Sequence, residues 1–350
     1  MNYSRFARRT RWIFIPLLLA VALTAAAQTY TVTDLGTLGG SSSGARAINA
    51  TGKITGYAFS SSTQSNAFLY AGGRMINLRS LGGTTAVGIA INSSGHVAGY
   101  STLSDGSYRG FISSKGKLTS VGTLGGNYSD AEGMNDSGQV TGASATASGA
   151  THPFLYSNGV LTDLGTLGNN NNGWWNTGTA VNNAGEVVGW SYDAQGNFLG
   201  FLWSSGQMQS LGTLGGAWSQ AFGINDLGQI TGQAYIKNDI GADAFLYDGG
   251  VMQDLGTITS PTGGNGQYAS GLGINSSGVV VGESTYQKNG QSIVYHAFIY
   301  STGKMQDLNR LIPAGSGWVL TTAYAINGSG QIVGYGTHNK QQRAFLLTPQ

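Results

Sequence analysis

The chain has 350 residues, of which 17 are basic and 15 acidic, and it contains 58 glycines and no cysteine. This length allows one large domain or two or three small ones, and the missing cysteines exclude disulfides, thiolate metal centres and lipid-modified cysteine. Glycine at about one residue in six and charge at 9% depart from ordinary usage of roughly 7% and 25%, yet 40% apolar content supplies a core and excludes a disordered chain.

The first element is a leader. "MNYSRFARRTR" is basic, "WIFIPLLLAVALTAAA" is an apolar run of signal-peptide length, and Ala25–Gln28 offers a small-residue cleavage site. Residues 1–27 are therefore expected to be a signal peptide, with an uncleaved membrane anchor as the alternative. The lone Arg8–Arg9 pair fits the general secretory route better than a twin-arginine route. Cleavage takes four of the 17 basic residues and leaves 13 against 15 acidic ones, a mature net charge near −2. No basic stripe remains for nucleic acid, and no second apolar run is long enough for a membrane-spanning helix.

From Tyr30 onward the chain is one repeat. An aliphatic–Asn pair recurs at Asn49, Asn92, Asn135, Asn182, Asn225, Asn275 and Asn327, a mean step of about 46 residues. Glycine follows each Asn at three and at seven residues, and an anchor recurs as Phe68, Phe111, Phe154, Phe201, Phe245, Phe298 and Phe345. Phrases such as "GINSSGVVVG" put Asn first and Gly fourth in a type I turn, the chemistry that closes a hairpin. "AFLYDGGVMQDL" reads as a second hairpin. Each unit thus holds four short strands, a to d, and no stretch after Gln28 shows a helical period.

Four strands in 43–52 residues describe a propeller blade, and seven blades lie in the usual range. The last unit, ending "RAFLLTPQ", lacks strand d, while "YTVTDLG" opens the mature chain with no hairpin partner. The expected fold is all-β: a seven-bladed β-propeller of four-stranded blades spanning residues 28–350, closed by Tyr30–Leu35 pairing beside Ala344–Leu347. Closure removes two open sheet edges.

The recurring "AFLY…DLGTLGG…GIN…G" pattern, with a literal His-Ala-Phe at His296–Phe298 and variants at His152 and Asp243, resembles the bacterial extracellular HAF-repeat family. The resemblance covers Tyr30–Gln350 and implies an exported bacterial repeat protein, extracellular or periplasmic. It implies no reaction. Members carry C-terminal anchoring segments in some cases, and because this chain ends on a strand, release is expected.

Chemistry is sparse. There are 12 Asp and 3 Glu. Asp34, Asp163, Asp254 and Asp307 share one strand-d position and read as structural. Asp136 and Asp226 read as turn formers, and no carboxylate pair for acid/base work is apparent. "GSSSG" at Gly40–Gly44 lacks the strand–elbow–helix setting of a nucleophile. The four histidines show no metal-ligand spacing. No cofactor is expected, although calcium held by loop carbonyls and aspartates stays open, since such sites need no tight motif.

The loops say more. The a–b and c–d turns keep nearly constant lengths on one face, whereas the d–a connections on the other grow from 13 residues to 17, 19 and 18 in the fourth, sixth and seventh units. Variation on one face marks where function is usually placed. Tyr128, Trp174, Trp175, Trp218, Tyr268 and Trp318 gather there beside amides, and flat apolar rings beside amide donors suit sugars. The sequence reading is an exported, monomeric, non-catalytic propeller that recognises a polysaccharide or cell-wall glycan through these residues. Its alternatives are an extracellular polysaccharide lyase or hydrolase, and a structural or protein-interaction module.

Overall fold

The computed structural model describes residues 28–168, 175–258, 267–287 and 292–350. Seven four-stranded blades, with the inner strand of blade III split in two, follow one another around an axis: blades I to VI at 43–79, 86–120, 125–163, 177–212, 215–256 and 269–307, and blade VII at 318–349 with residues 30–34. The protein is thus the expected seven-bladed propeller. Helical structure among the described residues is limited to two single turns, Lys237–Asp239 and Leu308–Arg310.

The ring closes as the sequence implies. Tyr30–Asp34 runs antiparallel to Gln341–Pro349, with Val32 opposite Leu347 and Asp34 opposite Phe345. The Leu35 amide extends the pairing to the Ala344 carbonyl at 3.0 Å, and Tyr30 is buried in the core shared by blades VI and VII. The seven anchor phenylalanines have no exposed surface, and each belongs to its own apolar cluster between neighbouring blades.

The two repeated glycines serve different purposes. The first, as at Gly138 with φ +78°, takes the left-handed position that ends the a–b turn. The second lets strands a and b approach: a Cβ on Gly232 would lie 1.9 Å from the Gln220 carbonyl oxygen, against the Phe245 ring. The repeated asparagines do more than form turns. Their side-chain amides donate to the carbonyl of the next Asn around the axis, as Asn135 to Asn182 at 2.9 Å and Asn327 to Asn49 at 3.2 Å, and six of the seven links are made. A ring of buried amides therefore laces the inner strands together on the a–b turn face.

Candidate functional site

Closing the ring brings together a column that is scattered in the sequence. The residue three before each repeated Asn points into the central channel: Arg46, Ile89, Glu132, Thr179, Phe222, Leu272 and Tyr324. The residue after it is small in every blade (Ala47, Ala90, Gly133, Ala180, Gly223, Gly273, Ala325), because the inner strands crowd there. A Cβ on Gly133 would sit 2.7 Å from the Ala180 Cα. Small neighbours leave the channel to the larger side chains, and the cavity they enclose with Trp190 measures about 430 Å³.

This column is chemically mixed. The Arg46 guanidinium lies over the Tyr324 ring at 4.1 Å from its centroid. In blade III the inner strand breaks into Gly125–Ser129 and Gly133–Met134, and the break holds Asp130 and Glu132. Asp130 is buried and accepts hydrogen bonds from the Tyr128 hydroxyl at 2.5 Å and the Ala143 amide at 2.6 Å. Burial pushes its carboxyl up to about 6, with those two donors acting in the opposite sense. Glu132, half-buried with no donor of its own among the described residues, is pushed up to about 8 by burial and by Asp130, while Arg46 opposes the shift. Burial raises Glu283 as well, although its Oε2 accepts from the Thr322 hydroxyl at 2.6 Å. Asp130 and Glu132 are thus an electrostatically linked carboxyl pair that sequence reasoning did not find. The signal was present as variation inside an otherwise repeated phrase: "EGMN" stands where another unit has "LGIN".

Two series of aromatic rings lie on the face of the b–c and d–a connections, and the second starts from Phe222 and Trp190 in the channel lining. One runs Tyr100–Tyr108–Tyr128–Trp175, with ring centroids 5.9, 6.3 and 4.9 Å apart. The other runs Phe222–Trp190–Phe198–Trp218–Tyr235 at 5.9, 6.1, 6.2 and 4.4 Å. Trp175 and Tyr108 remain 45% and 42% exposed. Of the residues singled out from the sequence, Tyr128, Trp175 and Trp218 therefore fall within these series, and Trp174 lies outside the described residues. Tyr268, half-buried in blade VI, makes no ring contact with either series among the described residues. Trp318 is only 9% exposed, stacked on the His338 ring at 4.6 Å and edge-on to Phe345, so it packs inside blade VII. No cluster of three or more metal-ligating side chains occurs among the described residues.

No family model and no curated protein sequence matches this chain. Solved structures do. The β-propeller domain of the Trilobed protease from Pyrococcus furiosus superposes with TM-score 0.55 at 10% identity, covering 92% of this chain and 97% of that one. That likeness supports the fold alone. That domain is described as having an open velcro topology, whereas strand pairing closes the ring here. TolB from Acinetobacter baumannii gives TM-score 0.43 at 12% identity, and this chain covers 51% of it. A gluconolactonase from Xanthomonas campestris gives 0.42 at 9% identity, covering 94% of this chain and 99% of that one. These two likenesses are too weak to carry an argument.

Proposed function

We propose that the protein is an exported binding propeller that takes a glycan on the face of its b–c and d–a connections. The observation that carries this reading is the pair of ring series. One series carries the exposed rings of Trp175 and Tyr108, and the other starts from Phe222 and Trp190 in the lining of a channel of about 430 Å³, a volume in the range of small-ligand sites. Rings offer broad apolar faces at low entropy cost and neighbouring amides fix orientation, which is how amphipathic ligands such as sugars are held. A glycan array probed with the protein identifies the ligand, and Trp175→Ala tests the site. Trp175 is an exposed ring at a loop end, so its removal is expected to leave the melting temperature nearly unchanged. It is expected to weaken binding by about 2 kcal/mol, as truncating an anchor residue does. Intact affinity with a lowered melting temperature would assign the ring to packing and contradict the reading.

A second reading has its own observation. A carboxyl held near 8 beside one held near 6 is the kind of arrangement that supplies a protonated acid at neutral pH. Were the protein a polysaccharide hydrolase or lyase, Glu132 is the residue that would protonate a leaving oxygen. Release of reducing ends or unsaturated products from a bound polymer, abolished by Glu132→Gln, would favour this reading. Binding without turnover would leave the first.

A further inference from the structure

We propose that the channel receives a carboxylate-bearing sugar and that the Arg46 guanidinium takes the carboxylate, an inference that rests on the glycan reading above and names the chemistry of its ligand. Arg46 is the one cation in the column that lines the channel. Its guanidinium touches the Tyr324 ring, but its Nε is buried with no hydrogen-bond partner, and no carboxylate among the described residues lies within ion-pair distance of it. Arg46 is half-buried, but a guanidinium nitrogen withdrawn from water without a partner is uncommon, because desolvating a charged group is costly. Its planar fork of N–H donors matches a carboxylate with two parallel hydrogen bonds. The rings of Trp190 and Phe222 line the same cavity and provide apolar surface for a sugar ring, while the Tyr324 ring carries the guanidinium.

The acidic groups nearby do not oppose an anion as their number suggests. Asp130 already accepts from Tyr128 and Ala143, and Glu283 from Thr322. Glu132 has no hydrogen-bond partner among the described residues, and burial together with Asp130 raises its carboxyl, which weakens its opposition to an anion. The unpaired guanidinium N–H of Arg46 thus faces a channel in which a carboxylate would satisfy it.

Isothermal titration of the purified protein with short oligomers of galacturonate, glucuronate and mannuronate, their methyl esters, and chitosan oligomers tests this assignment. At least one acidic oligomer is expected to bind at neutral pH, with its ester at least about tenfold weaker. Arg46→Gln should weaken the acid by about tenfold to a hundredfold, the worth of hydrogen bonds to a charged group, and leave the ester unaffected. Arg46→Lys, which keeps the charge without the fork, should fall between. If Arg46→Gln does not fold, the acid-to-ester ratio and Arg46→Lys decide the matter. Equal binding of acid and ester, both weakened by Trp175→Ala, would overturn the carboxylate assignment while sparing the aromatic platform. Loss with Arg46→Gln but not with Trp175→Ala would do the reverse. Binding of chitosan oligomers alone, abolished by Glu132→Gln, would overturn the assignment in favour of a cationic ligand, and binding of no oligomer at all would also overturn it.

Discussion

At the scale of single residues, one position shows how a repeat tolerates a costly substitution. In blades III and VI the first residue of the anchor phrase is a histidine paired with the strand-d aspartate: His152 Nδ1 to Asp163 at 2.9 Å, and His296 Nδ1 to Asp307 at 2.8 Å. Burial works to raise both aspartates, but their hydrogen bonds outweigh it and hold both carboxyls below the usual range. In blade V the same place holds Asp243, which has no exposed surface, no histidine partner and the strand-d Asp254 as its charged neighbour. Burial, then the Asp254 charge, pushes the Asp243 carboxyl up to about 7. A carboxyl raised on folding takes up a proton as the chain folds. Its contribution is therefore complete at low pH and is lost as pH climbs from about 4, the unfolded value, through about 7. Denaturant melts should show Asp243→Asn gaining about 1 kcal/mol or more over the parent at pH 8 and almost nothing at pH 4. An equal effect at both values would mean that the carboxyl is not strained by its neighbour.

At the scale of the blade, the sequence was legible because its signals are local. The Asn–Gly turns are made as read, with the Gly138 amide returning to the Asn135 carbonyl at 3.1 Å, and the anchor phenylalanines are buried as read. A turn needs a residue of particular conformation, and a core needs a large ring at a fixed step; neither depends on distant partners. What could not be read is which way a given aromatic faces. Trp318 and Trp218 both stand near the start of a strand a, after Gly317 and after Gly215–Ala217, yet Trp318 finds a histidine to stack on and turns inward, while Trp218 joins the second ring series. The packing role of the anchors carries a magnitude. Phe201→Ala leaves a cavity between Leu164, Val181 and Val187 and should cost about 3–5 kcal/mol, a large part of an ordinary domain's stability of about 5–15 kcal/mol. A loss under about 1 kcal/mol would contradict its place in the core.

At the scale of the whole molecule, closure makes both the fold and the site. The joint between the ends rests on five register pairs, from Tyr30–Pro349 to Asp34–Phe345, and on burial of Tyr30 and Leu35. A chain beginning at Gly36 should therefore melt well below the parent and aggregate, because Gln341–Pro349 is left as an open edge. Moving residues 30–36 behind Gln350 through a short linker should restore it, and a truncated chain that melts like the parent would contradict closure. The same closure explains why Arg46, Glu132 and Tyr324 were invisible as a group: they lie up to 278 residues apart, and only the ring sets them around one axis. The two faces of that ring differ. One carries the asparagine ring and uniform turns with Leu227 71% exposed, and the other carries the aromatic series. Hydroxyl-radical footprinting with and without a saturating glycan separates them directly. The account predicts protection of Trp175, Tyr108 and Trp218 with Leu227 unchanged; protection of Leu227 with the three rings still fully reactive would contradict it.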